Sequence, residues 1–140
     1  MTTTMTMCEE EFAALTCWQE GIQPSISSTA LRSLLEALER DDERLLQGAS
    51  TSPPPLYPCD SWPCEASCPV CWLLWEGSQE MSVKEVCEFL GNIASHCEDA
   101  LQEVGAIRHF MNWWDENPRE LVRAKLSAWI AADLAARSSQ

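Results

Sequence analysis

Basic residues are scarce in this chain. It carries 9 Lys and Arg against 22 Asp and Glu in 140 residues, which gives a formal net charge of −13. Nucleic-acid binding draws most of its affinity from Lys and Arg on phosphates, and anionic membranes attract basic segments in the same way. The composition therefore argues against a nucleic-acid partner and against a membrane partner.

Long apolar runs are also missing. The longest covers only residues 70–75, whereas a membrane-spanning helix needs about 20 apolar residues. The first basic residue is Arg32, so the start lacks the positive region of a secretory signal. We therefore expect a cytoplasmic protein, in which the reducing environment keeps most of the eight cysteines as free thiols.

Motifs of the common enzyme classes are absent. No glycine-rich phosphate loop, G-x-S-x-G or H-E-x-x-H occurs. The two histidines, His96 and His109, fall on one predicted helix, about 20 Å apart and too distant to act together. The acidic residues form no marked pair and are typical of a solvated surface. An enzyme is less expected than a binding protein.

Half of the cysteines lie in one window, spaced C-x4-C-x3-C-x2-C: Cys59, Cys64, Cys68 and Cys71. Structural zinc sites use about four tetrahedral ligands, often thiolates, so these four are a candidate zinc site. The tight spacing is unusual, because common sites separate two ligand pairs by a dozen or more residues. One ligand could instead come from Cys87, Cys97 or His96.

Two other interpretations of this window stay open. Cys68 and Cys71 form a C-x-x-C pair, the spacing of thiol redox sites, although the βαβ setting of such sites is missing. The cysteines can also be small apolar fillers beneath a loop. We favour the filler interpretation and keep zinc and redox chemistry as alternatives.

Seven tryptophans are many for this length. Four of them stand close to other large apolar residues: Trp72, Trp75, Trp113 and Trp114. Tryptophan is over-represented at protein interfaces, which makes these four candidates for an interaction surface. The alternative is that most of them form the domain's own core, with one or two left exposed.

Apolar periodicity predicts two helices in residues 8–48. The first covers about 8–20 and is stopped by Gly21 and Pro24. The second begins after a serine cap at Ser27 or Ser28 and carries a leucine face that extends towards Gly48.

Two more helices are predicted in residues 82–136. Ser82 and Glu85 have the spacing of a capping box that opens a long helix over about 82–113, with Gly91 and Gly105 as weak points. Asn117 and Pro118 then suit the cap and first position of the last helix. The short turn between these helices predicts an antiparallel hairpin.

Residues 49–76 are rich in proline, cysteine and tryptophan and show no clear period. We expect this segment to be ordered and packed on the helices, with either a helix or a strand in 66–75. The stretch 52–57 reads Ser-Pro-Pro-Pro-Leu-Tyr. Its length favours a rigid spacer over a target of a proline-binding partner.

The sequence thus predicts an all-α protein of about four helices with a covering irregular segment. Residues 1–7 are expected to be disordered and residues 8–140 to form a single domain. The favoured function is a small acidic interaction or assembly module, acting on a protein partner or by self-association as a homodimer. The alternatives are a zinc-stabilised module and a thiol redox protein.

Overall fold

The structure, a computed structural model, describes residues 8–78 and 80–139; the predicted disorder of 1–7 lies outside these residues. The described chain is mostly helical, as expected, but it holds six α-helices rather than four, and a short antiparallel sheet that was not predicted. The helices are α1 Glu9–Thr16, α2 Ser28–Glu39, α3 Pro69–Trp75, α4 Val83–Leu101, α5 Arg108–Glu116 and α6 Arg119–Ser138. The strands are β1 Thr51–Ser52 and β2 Ala66–Ser67.

The N-terminal helices differ from the prediction at their ends. α1 continues through Gly21 as a π-helical turn, Cys17–Ile22, and a 3-10 turn, Gln23–Ser25. Ser27 caps α2 by accepting a hydrogen bond from the Ala30 N–H. α2 ends well before Gly48, because Asp41 takes a left-handed φ of 52° that the helix cannot continue through.

The segment predicted to be irregular is ordered and contains elements of its own. β1 pairs with β2, a 3-10 turn covers Cys59–Ser61, and α3 follows β2 directly. Residues 66–75 therefore hold both a strand and a helix, where the sequence could not choose between them. Backbone hydrogen bonds from Cys64 N–H to Met81 and from Val83 N–H to Trp62 tie this segment to the start of α4.

The long helix predicted over 82–113 is broken. Its start is as expected, with both hydrogen bonds of the Ser82–Glu85 capping box present. After Leu101 the chain turns, because Gln102 and Gly105 adopt left-handed φ values of 54° and 71°. Of the two weak points, Gly105 therefore marks the break, and α5 begins beyond it.

The predicted hairpin of the last two long helices is also different, since α6 packs mainly along α2. Arg123, near the start of α6, donates to the Leu38 carbonyl at the end of α2. Arg137, near the end of α6, donates to Ile26 O and Ser28 Oγ at the start of α2. The two helices are therefore antiparallel. Asn117, predicted to cap α6, instead donates to the Trp113 carbonyl and ends α5.

The buried apolar side chains of these elements join in one cluster, to which every helix contributes. α6 supplies Val122, Leu126 and Ile130, all fully buried. Among the described residues, no helix combines the length and the apolar character needed to cross a bilayer.

Candidate functional site

The cysteine window divides between the surface and the core. Cys59 is half-buried in its 3-10 turn, whereas Cys64, Cys68 and Cys71 are 6%, 0% and 0% exposed. Cys87 of α4 lies near enough to these three that its charge would raise the pKa of Cys64 and Cys71. The thiols that lie near one another are thus Cys64, Cys68 and Cys71, in the core, and Cys87, which is half-buried beside it.

Most of these thiols are held neutral. Burial raises the pKa of Cys64 to about 11 and raises that of Cys87 as well. The hydrogen bond with Cys71 lowers the pKa of Cys68, helped by the N–H groups of Cys71 and Val70, and the same bond raises the pKa of Cys71. Cys68 is therefore the thiol of this pair that ionises first.

The Cys68–Cys71 pair has the local geometry of a redox site but not the access of one. Cys68 is the N-cap of α3 and Cys71 follows in its first turn. In thiol–disulfide exchange with a second protein, the attacking Cys68 sulfur must reach a sulfur of that protein's disulfide. Cys68 is fully buried, so a second protein cannot reach it in this structure. The Cys68 N–H is also bonded to the Ser50 carbonyl beside β1. The pair could react only after this cover is displaced.

The described residues contain no preformed metal site. Among them, no group of three or more His, Cys, Asp or Glu side chains is placed to hold a metal ion. The zinc hypothesis for Cys59, Cys64, Cys68 and Cys71 therefore stays a prediction, which a chelator can test.

The four tryptophans proposed for an interaction surface lie in the core. Trp72, Trp113 and Trp114 are at most 1% exposed, and Trp75 is 3% exposed. The Trp72 indole donates to Ser33 Oγ, and the Trp114 indole donates to the Leu46 carbonyl at 2.8 Å. Their surfaces are covered by the fold itself, which is the alternative that the sequence left open for them.

A different group of apolar side chains is exposed. Leu56, Tyr57 and Trp62 are 66%, 92% and 51% exposed, and all three stand in the loop that follows the prolines. The sequence predicted a rigid spacer over residues 52–57, and Trp62 was not among the four tryptophans proposed for an interaction surface. The proline run was the feature of the sequence that could have indicated this exposure. A proline-rich chain lacks backbone N–H donors and stays at the surface, so the side chains that follow it also lie there.

A cavity of about 390 Å³ lies elsewhere, between the π-helical turn and α4. Glu20, His96 and Asp99 line it, and all three are exposed. His109, the other histidine, contacts Glu103 at 3.0 Å beside Arg108, across the break between α4 and α5. The two histidines therefore lie on different helices, α4 and α5, and not on the one long helix that the sequence predicted.

Comparison of the chain with family models, with curated proteins and with solved structures gives no match.

Proposed function

We propose that this protein is an interaction module whose contact element is the loop 54–62, called here the aromatic loop. We further propose that its partner is a different protein with an apolar surface bordered by Lys and Arg. The observation that carries the proposal is the clustering of Leu56, Tyr57 and Trp62, all exposed, within seven residues. Single exposed apolar residues are ordinary, but clusters of them mark interaction sites.

The aromatic loop is held in place before any partner arrives. The Glu65 N–H donates to the Ser52 carbonyl at 2.8 Å, which closes the base of the loop. Within it, the Asp60 and Trp62 N–H groups donate to the Leu56 and Cys59 carbonyls at 3.1 and 3.0 Å. An ordered contact element loses little conformational entropy on binding, and this supports a role in recognition.

Charge indicates the chemistry of the partner. Three carboxylates lie in or next to the aromatic loop, those of Asp60, Glu65 and Glu80, against one basic residue, Lys84, which follows Val83 in the chain. A shallow cavity of about 340 Å³ beside the loop is lined by Glu80 together with Pro63 and Met81. An apolar patch with an acidic border is complementary to an apolar patch with a basic border.

The same charge favours a different protein over a second copy. Each copy of this chain carries −13, so pairing two acidic loops would place like charges together. We also place the protein in a reducing compartment such as the cytosol, which is consistent with eight unpaired thiols.

Site-specific photo-crosslinking in the native cells tests the proposal. A benzophenone amino acid at position 62 should capture one main protein, through a peptide that contains Lys or Arg. The same probe at position 104, where Val104 is 87% exposed on another part of the surface, is the matched control. Capture of the same proteins at both positions, or capture of a second copy of this chain, would contradict the proposal.

Affinity for the captured protein then gives the energetic test. Tyr57→Ala and Trp62→Ala should each weaken binding by roughly tenfold or more, as expected for central aromatic residues of an interface. Val104→Ala should leave the affinity unchanged. All three side chains are exposed, so the thermal midpoints should stay close to that of the parent protein.

A further inference from the structure

A second pair of thiols lies in contact on the far side of the core. The Sγ atoms of Cys17 and Cys97 are 3.8 Å apart, although the residues are 80 positions apart in the chain. Cys17 belongs to the π-helical turn after α1 and Cys97 to α4. Both side chains are fully buried. Their contact therefore joins two elements that the sequence keeps far apart.

Local structure explains the contact. A Cβ at Gly21 would lie 2.9 Å from Cys97 Cα and 2.7 Å from its Sγ, so only glycine lets the turn approach α4 this closely. The Cys17 thiol also faces the Ala106 carbonyl at 3.6 Å. Backbone atoms therefore lie against both sulfurs, those of Gly21 against Cys97 and the Ala106 carbonyl against Cys17.

We propose that Cys17 and Cys97 are a disulfide-forming site that closes when the protein meets a small peroxide. The sulfurs already touch, and a disulfide brings them to about 2.05 Å. This inference is independent of the proposed function and stands or fails without it.

The chemistry balances with hydrogen peroxide as the oxidant. The Cys17 sulfur attacks one peroxide oxygen, so that an S–O bond forms, the O–O bond breaks and the first water leaves. The Cys97 sulfur then attacks the Cys17 sulfur, the S–S bond forms, the S–O bond breaks and the second water leaves. The two thiols lose two protons and two electrons, and the peroxide is reduced to two waters.

Cys17 is the sulfur that attacks first. Its hydrogen bond with Cys97 lowers the pKa of Cys17 and raises that of Cys97, so Cys17 is the first of the two thiols to lose its proton. The carboxylates of Glu103 and Glu98 oppose ionisation of the pair. Because both thiols are buried, peroxide reaches them during local openings of the turn, and the reaction is slow.

The cross-link has a large effect on the unfolded chain. It closes a loop of 80 residues, and long loops restrict the unfolded state most. A Cys68–Cys71 disulfide would close only a short loop and would restrict the unfolded chain much less. The two pairs therefore differ in their effect on the thermal midpoint.

The test uses the reduced full chain, treated with excess hydrogen peroxide, alkylated and digested without reductant. We expect a peptide from the π-helical turn linked to one from α4, with the loss of two hydrogen atoms. The thermal midpoint should rise by roughly 5–15 °C, and a dithiol reductant should reverse the rise. Cys97→Ala should abolish both effects, whereas Cys68→Ala, the matched control, should retain them.

Three results would overturn the proposal, and the parent protein alone can give each of them. The first is that Cys17 and Cys97 are still free thiols when prolonged peroxide treatment ends and the chain is alkylated in denaturant. The second is that they are linked to other cysteines in place of each other. The third is that the link forms only when peroxide is added in denaturant. If Cys97→Ala fails to fold, this peptide map still decides the question.

Discussion

The indole N–H of Trp18 donates a hydrogen bond of 2.8 Å to a carboxylate oxygen of Asp133. Trp18 is fully buried in the π-helical turn, and Asp133 is half-buried on α6. Burial raises the pKa of Asp133, although the bond from Trp18 and the charge of Arg137 oppose the increase. The hydrogen bond therefore stabilises the fold, while the charge of its acceptor costs stability.

Two substitutions separate these effects. Asp133→Asn keeps an acceptor for the indole and removes the charge, so the free energy of unfolding at pH 7 should equal or exceed that of the parent protein. Asp133→Ala leaves the indole without its partner and should cost about 1–2 kcal/mol. Urea unfolding at pH 7 measures both, and equal losses in the two variants would contradict this account.

The pH dependence follows from the same pKa. Since the folded pKa of Asp133 lies above the unfolded value, the folded state binds a proton more tightly, and stability rises as the pH falls through the folded pKa. The difference between Asp133→Asn and the parent should therefore shrink from pH 7 towards pH 4. An unchanged difference over that range would be inconsistent with a raised pKa.

Two glycines should respond in opposite ways to alanine. A Cβ at Gly21 meets the Cys97 backbone at 2.9 Å, whereas a Cβ at Gly91 on α4 meets no atom within 4 Å. Gly21→Ala should cost roughly 1–3 kcal/mol, because the turn must move away from α4. Gly91→Ala should stabilise by up to about 1 kcal/mol through helix propensity. Thermal unfolding of both variants checks the contrast, and similar effects would refute it.

Asp42 should account for part of the loss of stability in acid. Its carboxylate accepts hydrogen bonds from Arg44 and Arg40, and the side chain is only 8% exposed. The Arg44 bond holds the pKa of Asp42 well below its usual range. This stabilisation is fully present above the unfolded pKa near 3.8 and is lost as the pH falls towards the folded value.

Asp42→Asn should therefore cost about 1–3 kcal/mol at pH 7 and much less near pH 2. Glu36→Gln, at an exposed position on α2, is the matched control and should change stability little at either pH. Denaturant unfolding across this range measures the three proteins. A cost for Asp42→Asn that is the same at pH 7 and pH 2 would show that the charge is not responsible.

Chelation should leave the protein folded. We expect a metal-free mass by native mass spectrometry and a thermal midpoint unaffected by a strong chelator. Cys59→Ser, at a half-buried position, should cost little, whereas Cys71→Ser buries a hydroxyl in the core and should cost about 1–3 kcal/mol. One bound zinc per chain, with equal losses in both variants, would instead support the zinc alternative.

Local patterns in the sequence predicted the elements that local chemistry determines. The capping box at Ser82 and Glu85 and the cap at Ser27 depend on neighbours three residues away, and both are present. The break before α5 was harder, because Gln102 adopts its left-handed φ without the signal of a glycine.

Contacts between residues far apart in the chain could not be predicted from such local patterns. α6 was expected to lie along the long helix before it, but its arginines bind carbonyls of α2. No spacing rule connects Cys17 with Cys97 across 80 positions. The tryptophans were ambiguous for a related reason, since the same residue type fills cores and interfaces, and only the packing of the whole chain separates Trp62 from Trp72.

The antiparallel contact of α2 with α6 has a consequence for protein synthesis. α2 leaves the ribosome early, but its apolar face and its end carbonyls are covered by a helix made about 80 residues later. Until α6 emerges, the nascent chain exposes leucines that a chaperone could bind. Ribosomes stalled before position 119 should therefore hold a chain that proteases cut readily within α2.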